Sequence, residues 1–179
     1  MSILKEIFLY TSQFVSREAI KKLFVLDSGS VDYSQFMHEV LAYPDTSRNE
    51  SISDFIFGID ENAVISRISQ VSGLYMFVDY STITSTINAV DVKSDVFRIS
   101  ITIARPSPEN QDQATELLWQ DKALEALTTI RKKMRDDFDG QSAIFWMKFP
   151  TSIKPFVAHT LANSIGWSME FDVQGVDMV

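Results

Sequence analysis

The sequence predicts an α+β fold: an antiparallel sheet with helices packed on one face, preceded by an N-terminal helical arm. Three stretches carry that expectation. Val96 to Ala104 reads VFRISITIA, with Phe97, Ile99, Ile101 and Ile103 on one face and Arg98, Ser100 and Thr102 on the other, the period of a half-buried strand. Asp112 to Arg135 follows the break at Pro106 and Pro108 and contains neither Gly nor Pro, enough for about six turns of helix. Ser164 to Val173 alternates Ile165, Trp167, Met169, Phe171 and Val173 with Gly166, Ser168, Glu170 and Asp172, and a one-residue slip would expose the whole apolar set.

Taken in order, residues 1–27 read as helix. Ile3, Leu4, Ile7 and Phe8 share one face, and Ala19, Ile20, Leu23 and Phe24 repeat the spacing. A break near Thr11 and Ser12 divides them into two pieces, and Ser16 is placed to cap the second through its hydroxyl. Asp27-Ser28-Gly29-Ser30 marks a turn, and Asp32 to Tyr43 forms a third helix on Phe36, Met37, Val40 and Leu41, ended by Pro44. Pro44 to Ser53 has almost nothing to bury and reads as a linker, so residues 1–53 form the arm with its linker and 54–179 the body.

In the body, Phe55-Ile56-Phe57 is a short apolar run. Asp60 is placed to cap a helix carrying Val64, Ile65, Ile68 and Val71, and Gly73 suits a left-handed turn that ends it. Leu74 to Tyr80 is apolar on both faces up to Asp79, as in a central strand. Ser81 to Asp95 is either a long connection to the Val96 strand or an exposed extension of it. The long helix has Leu117, Leu124, Leu127 and Met134 near one face, flanked by Leu118, Trp119 and Ile130, a stripe wider than one sheet requires. Asp112 and Glu116 open it and Arg131, Lys132, Lys133 and Arg135 close it, complementing the helix dipole. Ala143 to Phe149 reads as a strand ended by Pro150, and Phe156 to Leu161 as a helical turn between strands. The body thus runs α-β-β-α-β-β.

Composition excludes some classes of function. The chain has 179 residues, 45% hydrophobic and 22% charged, with thirteen Phe and three Trp to fill a core. Its formal net charge of −8 opposes general nucleic-acid binding, which must neutralise phosphates, and opposes an anionic membrane surface. With no Cys, disulfides and thiolate metal sites are impossible. Lys5 and Glu6 interrupt the first apolar stretch, which therefore does not read as a signal peptide, and no apolar run reaches the ~18 residues of a membrane span. A cytoplasmic product is the expectation.

The residues show no catalytic constellation, and no enzyme is expected. His38 and His159 are the two histidines, and neither has carboxylates at ligand spacing. Asp137-Phe138-Asp139-Gly140 invites a calcium-loop alignment, but that alignment puts Arg135 and Trp146 where acidic ligands belong. No cofactor or metal is expected. The basic cluster Arg131, Lys132, Lys133 and Arg135 reads first as a solvated helix end and second as a local phosphate or partner patch, of which Arg131, Lys132 and Arg135 are the interface candidates. Trp119 and Trp146 are the tryptophans placed to reach a partner. With Thr82, Thr84 and Thr86 of the polar Ser81–Asp95 stretch, these residues make up the candidate interface.

Three segments, SDVFRISITIARP at 94–106, ELLWQDKALEALTTIRKKM at 116–134 and SIGWSMEFDVQGVDM at 164–178, taken with the order of elements over residues 60–179, resemble the tail-terminator and tail-completion proteins of long-tailed bacteriophages. The resemblance implies a non-enzymatic ring subunit that caps the tail tube and joins it to the capsid connector. It implies homo-oligomers, other tail or neck proteins as partners, and a place in the host cytoplasm during assembly and then in the virion. A ring needs one patch meeting a different patch on the neighbour. The stripe of the long helix is open to two covers, a neighbouring copy or the N-terminal arm of the same chain. The alternative function is a monomeric adaptor that binds through its sheet face or the Ser81–Asp95 stretch.

Overall fold

The computed structural model describes residues 3–24, 30–42, 48–87, 93–108, 111–139, 147–148 and 152–175. Its elements are α1 (Ile3–Ser12), α2 (Arg17–Lys21), α3 (Val31–Leu41), β1 (Ile52–Phe57), α4 (Glu61–Ile68), β2 (Leu74–Ile87), β3 (Lys93–Pro106), α5 (Gln113–Asp139), β4 (Met147–Lys148), β5 (Ile153–Ala158) and β6 (Ser164–Gly175). The class is α+β: one sheet, with helices packed against it.

The sheet runs β1-β2-β3-β6-β4, and β5 shares the outer side of β6 with β4. Its centre is the pair β3 and β6, antiparallel from Asp95↔Gly175 to Pro106↔Ser164. The period-two pattern read in both segments sets their apolar residues on one face: Phe97, Ile99, Ile101, Ile103, Met169, Phe171 and Val173 are all buried in one cluster. Ala123, Ala126, Leu127, Ile130 and Met134 of α5 belong to the same cluster. The strand before the long helix and the strand after it therefore lie side by side beneath it.

Several expectations need correction. The sheet is mixed, because β1 joins β2 in parallel from Ile52↔Leu74 to Phe57↔Val78. Ile52 and Ser53, read as the end of a linker, open that strand, and α4 is the crossover that parallel neighbours require. The helices do not all lie on one face. Val64 and Ile68 of α4 pack with Ile56, Tyr75 and Ala104 in a second cluster. These strand residues alternate with Phe55, Met76 and Ile103 of the first cluster, so α4 covers the reverse of the sheet. Phe156 to Ala158 is strand rather than helical turn, antiparallel to β6. Of the strand expected over Ala143 to Phe149, Met147 and Lys148 are strand, and its other residues lie outside those described. So do 27–29 of the expected turn, 44–47 of the expected linker, and Gly140.

The helix starts follow the sequence. The Ser16 hydroxyl accepts from the Ala19 amide at 3.1 Å, and Asp60 Oδ1 from the Ala63 amide at 3.0 Å. Gly73 is different from expectation: α4 is capped by Ser69 in a right-handed conformation, and among the described glycines the left-handed one is Gly58, at φ 152°. What Gly73 supplies is clearance, since a Cβ there would sit 2.8 Å from the Ser53 hydroxyl. The end of α5 also departs from the reading. The helix runs one turn past Arg135, so its last turn holds Asp136, Asp137 and Asp139 and no basic residue. That charge opposes the helix dipole, and tertiary contacts offset it. Asp137 accepts from the Tyr10 hydroxyl at 3.0 Å and from the Lys133 ammonium.

The end of α1 and the turn after it supply cover for the C-terminal half of α5. Ile7, Tyr10 and Phe14 join Leu127, Ile130 and Met134 in one cluster. The cover stops short of the helix start, where Leu117 and Leu118 are 67% and 63% exposed. The apolar stripe expected from the sequence includes Leu117 with Leu118 on its flank, but the buried face drifts around the helix and small Ala123 and Ala126 take the inward positions nearer the middle.

Candidate functional site

Of the candidate interface residues, Thr82, Thr84 and Thr86 lie on β2 and Trp119, Arg131, Lys132 and Arg135 on α5. Residues on a helix are about 100° apart, so with Leu127, Ile130 and Met134 facing inward, Lys122, Thr129 and Asp136 fall on one flank, Arg131 and Arg135 on the other, and Lys132 points outward between them. The first flank borders a groove made of two cavities of about 480 and 340 Å³ that share Asn49 and Thr129. Trp119, Lys122 and Glu125 line one end and Arg48, Glu50, Lys132, Lys133 and Asp136 the other.

The opposite wall of this groove is residues 49–51, which the sequence offered as linker. It is held both by local bonds and by bonds to the segment that follows α1. Asn49 donates its amide to the Phe14 carbonyl at 3.1 Å and accepts through its own carbonyl from the Ile52 amide at 3.1 Å. Its side-chain oxygen accepts from the Ser51 amide at 3.0 Å. Arg48 donates to the Ser12 and Val15 carbonyls at 3.3 and 3.2 Å, which ties this wall to the end of α1.

Trp119 is half-buried, with the Arg105 guanidinium 4.2 Å and the Lys122 ammonium 4.6 Å from its ring centre. The chain's own cations thus occupy the ring, whose negative face attracts them. Lys132 is exposed at the groove, Arg131 is half-buried, and Arg135 is exposed on the other flank. The four basic residues of the sequence cluster therefore do not make one patch. The groove itself carries both signs of charge, which gives it no selectivity for an anion.

The threonine stretch is an extension of the hairpin. β2 and β3 remain paired out to Ile87↔Lys93, but the register shifts between Tyr80 and Ile83. A bulge of this kind inserts one residue and reverses which face the following side chains take. Ile83 therefore pairs with Phe97 in the register, and Thr84 stands opposite Val96, on the reverse side. Thr84 is exposed. Thr82 and Thr86 lie in the same strand, and Trp146 lies outside the described residues.

Beyond the cover of α4, the reverse face of the sheet is polar. Ser100 and Ser168 share a hydrogen bond of 2.9 Å, and the Thr102 hydroxyl donates to Ser168 at 3.0 Å. Arg98 pairs with Asp172 at 3.3 Å and Lys154 with Glu170 at 3.1 Å. Asp79 sits opposite Ser100. Burial raises its carboxyl above the ordinary value, against a smaller lowering by the Tyr80 amide. Under α4, the Tyr75 hydroxyl is buried and has no hydrogen-bond partner among the described residues, while the neighbouring Ser164 hydroxyl donates to the Leu161 carbonyl. Burial pushes its pKa to about 12, opposed by the nearby Ser164 hydroxyl.

His159 is exposed beside Asn163, 3.4 Å from its side-chain oxygen, and His38 is exposed on α3. Among the described residues no group of three or more His, Asp or Glu could hold a metal ion, and no helix is long and apolar enough to cross a membrane. Sequence reasoning missed the groove because one wall lies in a polar stretch with no periodicity. It missed the reversal at Tyr80 because no glycine marks the bulge.

Comparison of the chain with protein-family models, with curated proteins and with solved structures gave no match.

Proposed function

We propose that this chain is a structural assembly subunit of a phage or prophage tail or neck, a ring-forming tail-terminator or tail-completion protein that acts by contact. The observation that carries the reading is a pair of unlike surfaces on opposite faces of one sheet. One is the groove beside α5, with Trp119 and Lys132. The other is the polar reverse face with Arg98, Glu170 and Asp172. A closed ring of identical copies requires this kind of difference, because each contact joins one patch to another. The three segments that resemble the phage proteins form β3, α5 and β6, which pack as one unit, and this supports the comparison.

Light scattering coupled to size exclusion, with the protein alone and with purified tail tubes, tests the proposal. A closed oligomer, formed alone or on the tube, is the expected result. A monomer under both conditions that instead captures a specific host protein would favour the adaptor reading.

A further inference from the structure

The outer edges of the sheet are not treated alike. Along β1, the Lys22 ammonium takes up the Ser53 carbonyl at 3.0 Å and Asp54 at 2.7 Å. The Ser16 amide occupies the Ile52 carbonyl at 3.2 Å. On the far side, β5 carries Lys154 and Pro155. Lysines, prolines and covering helices are the usual means of keeping a strand edge from pairing with another chain.

Among the described residues β2 carries no lysine, proline or covering helix past Val78. Its pairing with β1 ends there, while β2 continues to Ile87 with β3 on its other side. Among the described residues no strand pairs with the outer edge of Ser81 to Ile87. That run is STITSTI, without charge or proline and rich in the residue types that favour strands. Beyond the bulge, Ile83 to Ile87 holds unbroken register with Phe97 to Lys93.

We infer that this edge pairs with the same edge of a second copy, antiparallel and across a two-fold axis. Two features argue for a second copy. Residues 83–87 read ITSTI in both directions, so pairing centred on Ser85 sets Ile opposite Ile and Thr opposite Thr, a self-complementary contact. Two chains of net charge −8 also repel least where they meet along an uncharged strip. The contact is short and therefore weak, and it goes beyond the ring reading, which needs unlike patches.

Charge exchange at the arm tests it on the full chain. Light scattering of the wild-type protein at rising concentration should show the mass doubling. Thr84→Lys/Thr86→Lys and Thr84→Asp/Thr86→Asp should each lose that doubling while keeping the wild-type circular dichroism, because like charges then face each other. An equimolar mixture of the two should regain it. Wild type that never pairs, variants that pair as well as wild type, or a mixture that fails to pair would each overturn the inference. A contact between unlike patches would not be rescued by mixing, so failure here and failure of the ring reading are distinguishable.

Discussion

Gly166 shows how much one residue decides. It stands opposite Ala104 where β6 passes β3, and a Cβ there would lie 2.1 Å from the Ile103 carbonyl oxygen and 2.6 Å from the Ala104 Cα. Both obstacles are backbone at the centre of the sheet, which cannot step aside. Gly166→Ala should therefore cost about 3 kcal/mol, the upper range for overpacking, read as a lower midpoint in urea unfolding. Asp79 makes the opposite kind of prediction. Its carboxyl is raised in the folded state by burial, so folding disfavours its charged form. The penalty is full when the group is ionised in both states. It fades as pH falls through the folded-state value and vanishes below the unfolded value of 3.8. Asp79→Asn should raise the melting temperature at pH 7 and give no such advantage at pH 3. An equal gain at both values would show that its charge is not the cause.

At the scale of elements, legibility followed geometry. β3 and β6 were readable because each has one buried face, which writes a period of two into the sequence. Phe171 is the sharpest test of that face: it is 5% exposed opposite Ile99. Phe171→Asp would bury an unpaired charge and should cost more than about 4 kcal/mol, leaving a chain without a cooperative thermal transition. β1 was not recognised because Phe55 and Ile56 are buried on opposite faces, which erases alternation. β5 was hidden by Pro155, a residue that reads as a break and that an edge strand tolerates. The bulge in β2 left no mark of composition at all. The C-terminal turn of α5 was misjudged because local charge favoured a stop at Arg135, whereas the Tyr10 and Lys133 bonds to Asp137 come from another helix and from the turn before.

For the whole molecule, the readable part was the unit of two strands beneath one long helix. What could not be read was which elements surround it. The arm contributes Ile7, Tyr10 and Phe14 to the same core as the sheet. Of the candidate interface, the sequence supplied the residue types, but grouping them depended on helix rotation and on one bulge. Trp119 and Lys132 stand at opposite ends of the groove, while Arg131 and Arg135 turn to the other flank. Glu170→Lys tests whether the polar face is used in assembly. Glu170 is exposed and its ion pair with Lys154 is a surface one, so the isolated chain should lose less than about 1 kcal/mol. Oligomers built through that face should dissociate at lower salt than wild type. Unchanged assembly would remove the face from the interface.

On the proposed function, copies of this chain join through unlike patches into a closed ring. Native mass spectrometry of the full chain, alone and after release from purified tail tubes, measures it most directly. The account predicts one discrete species of fixed copy number, lost in Glu170→Lys. A single-copy mass in both samples would contradict it.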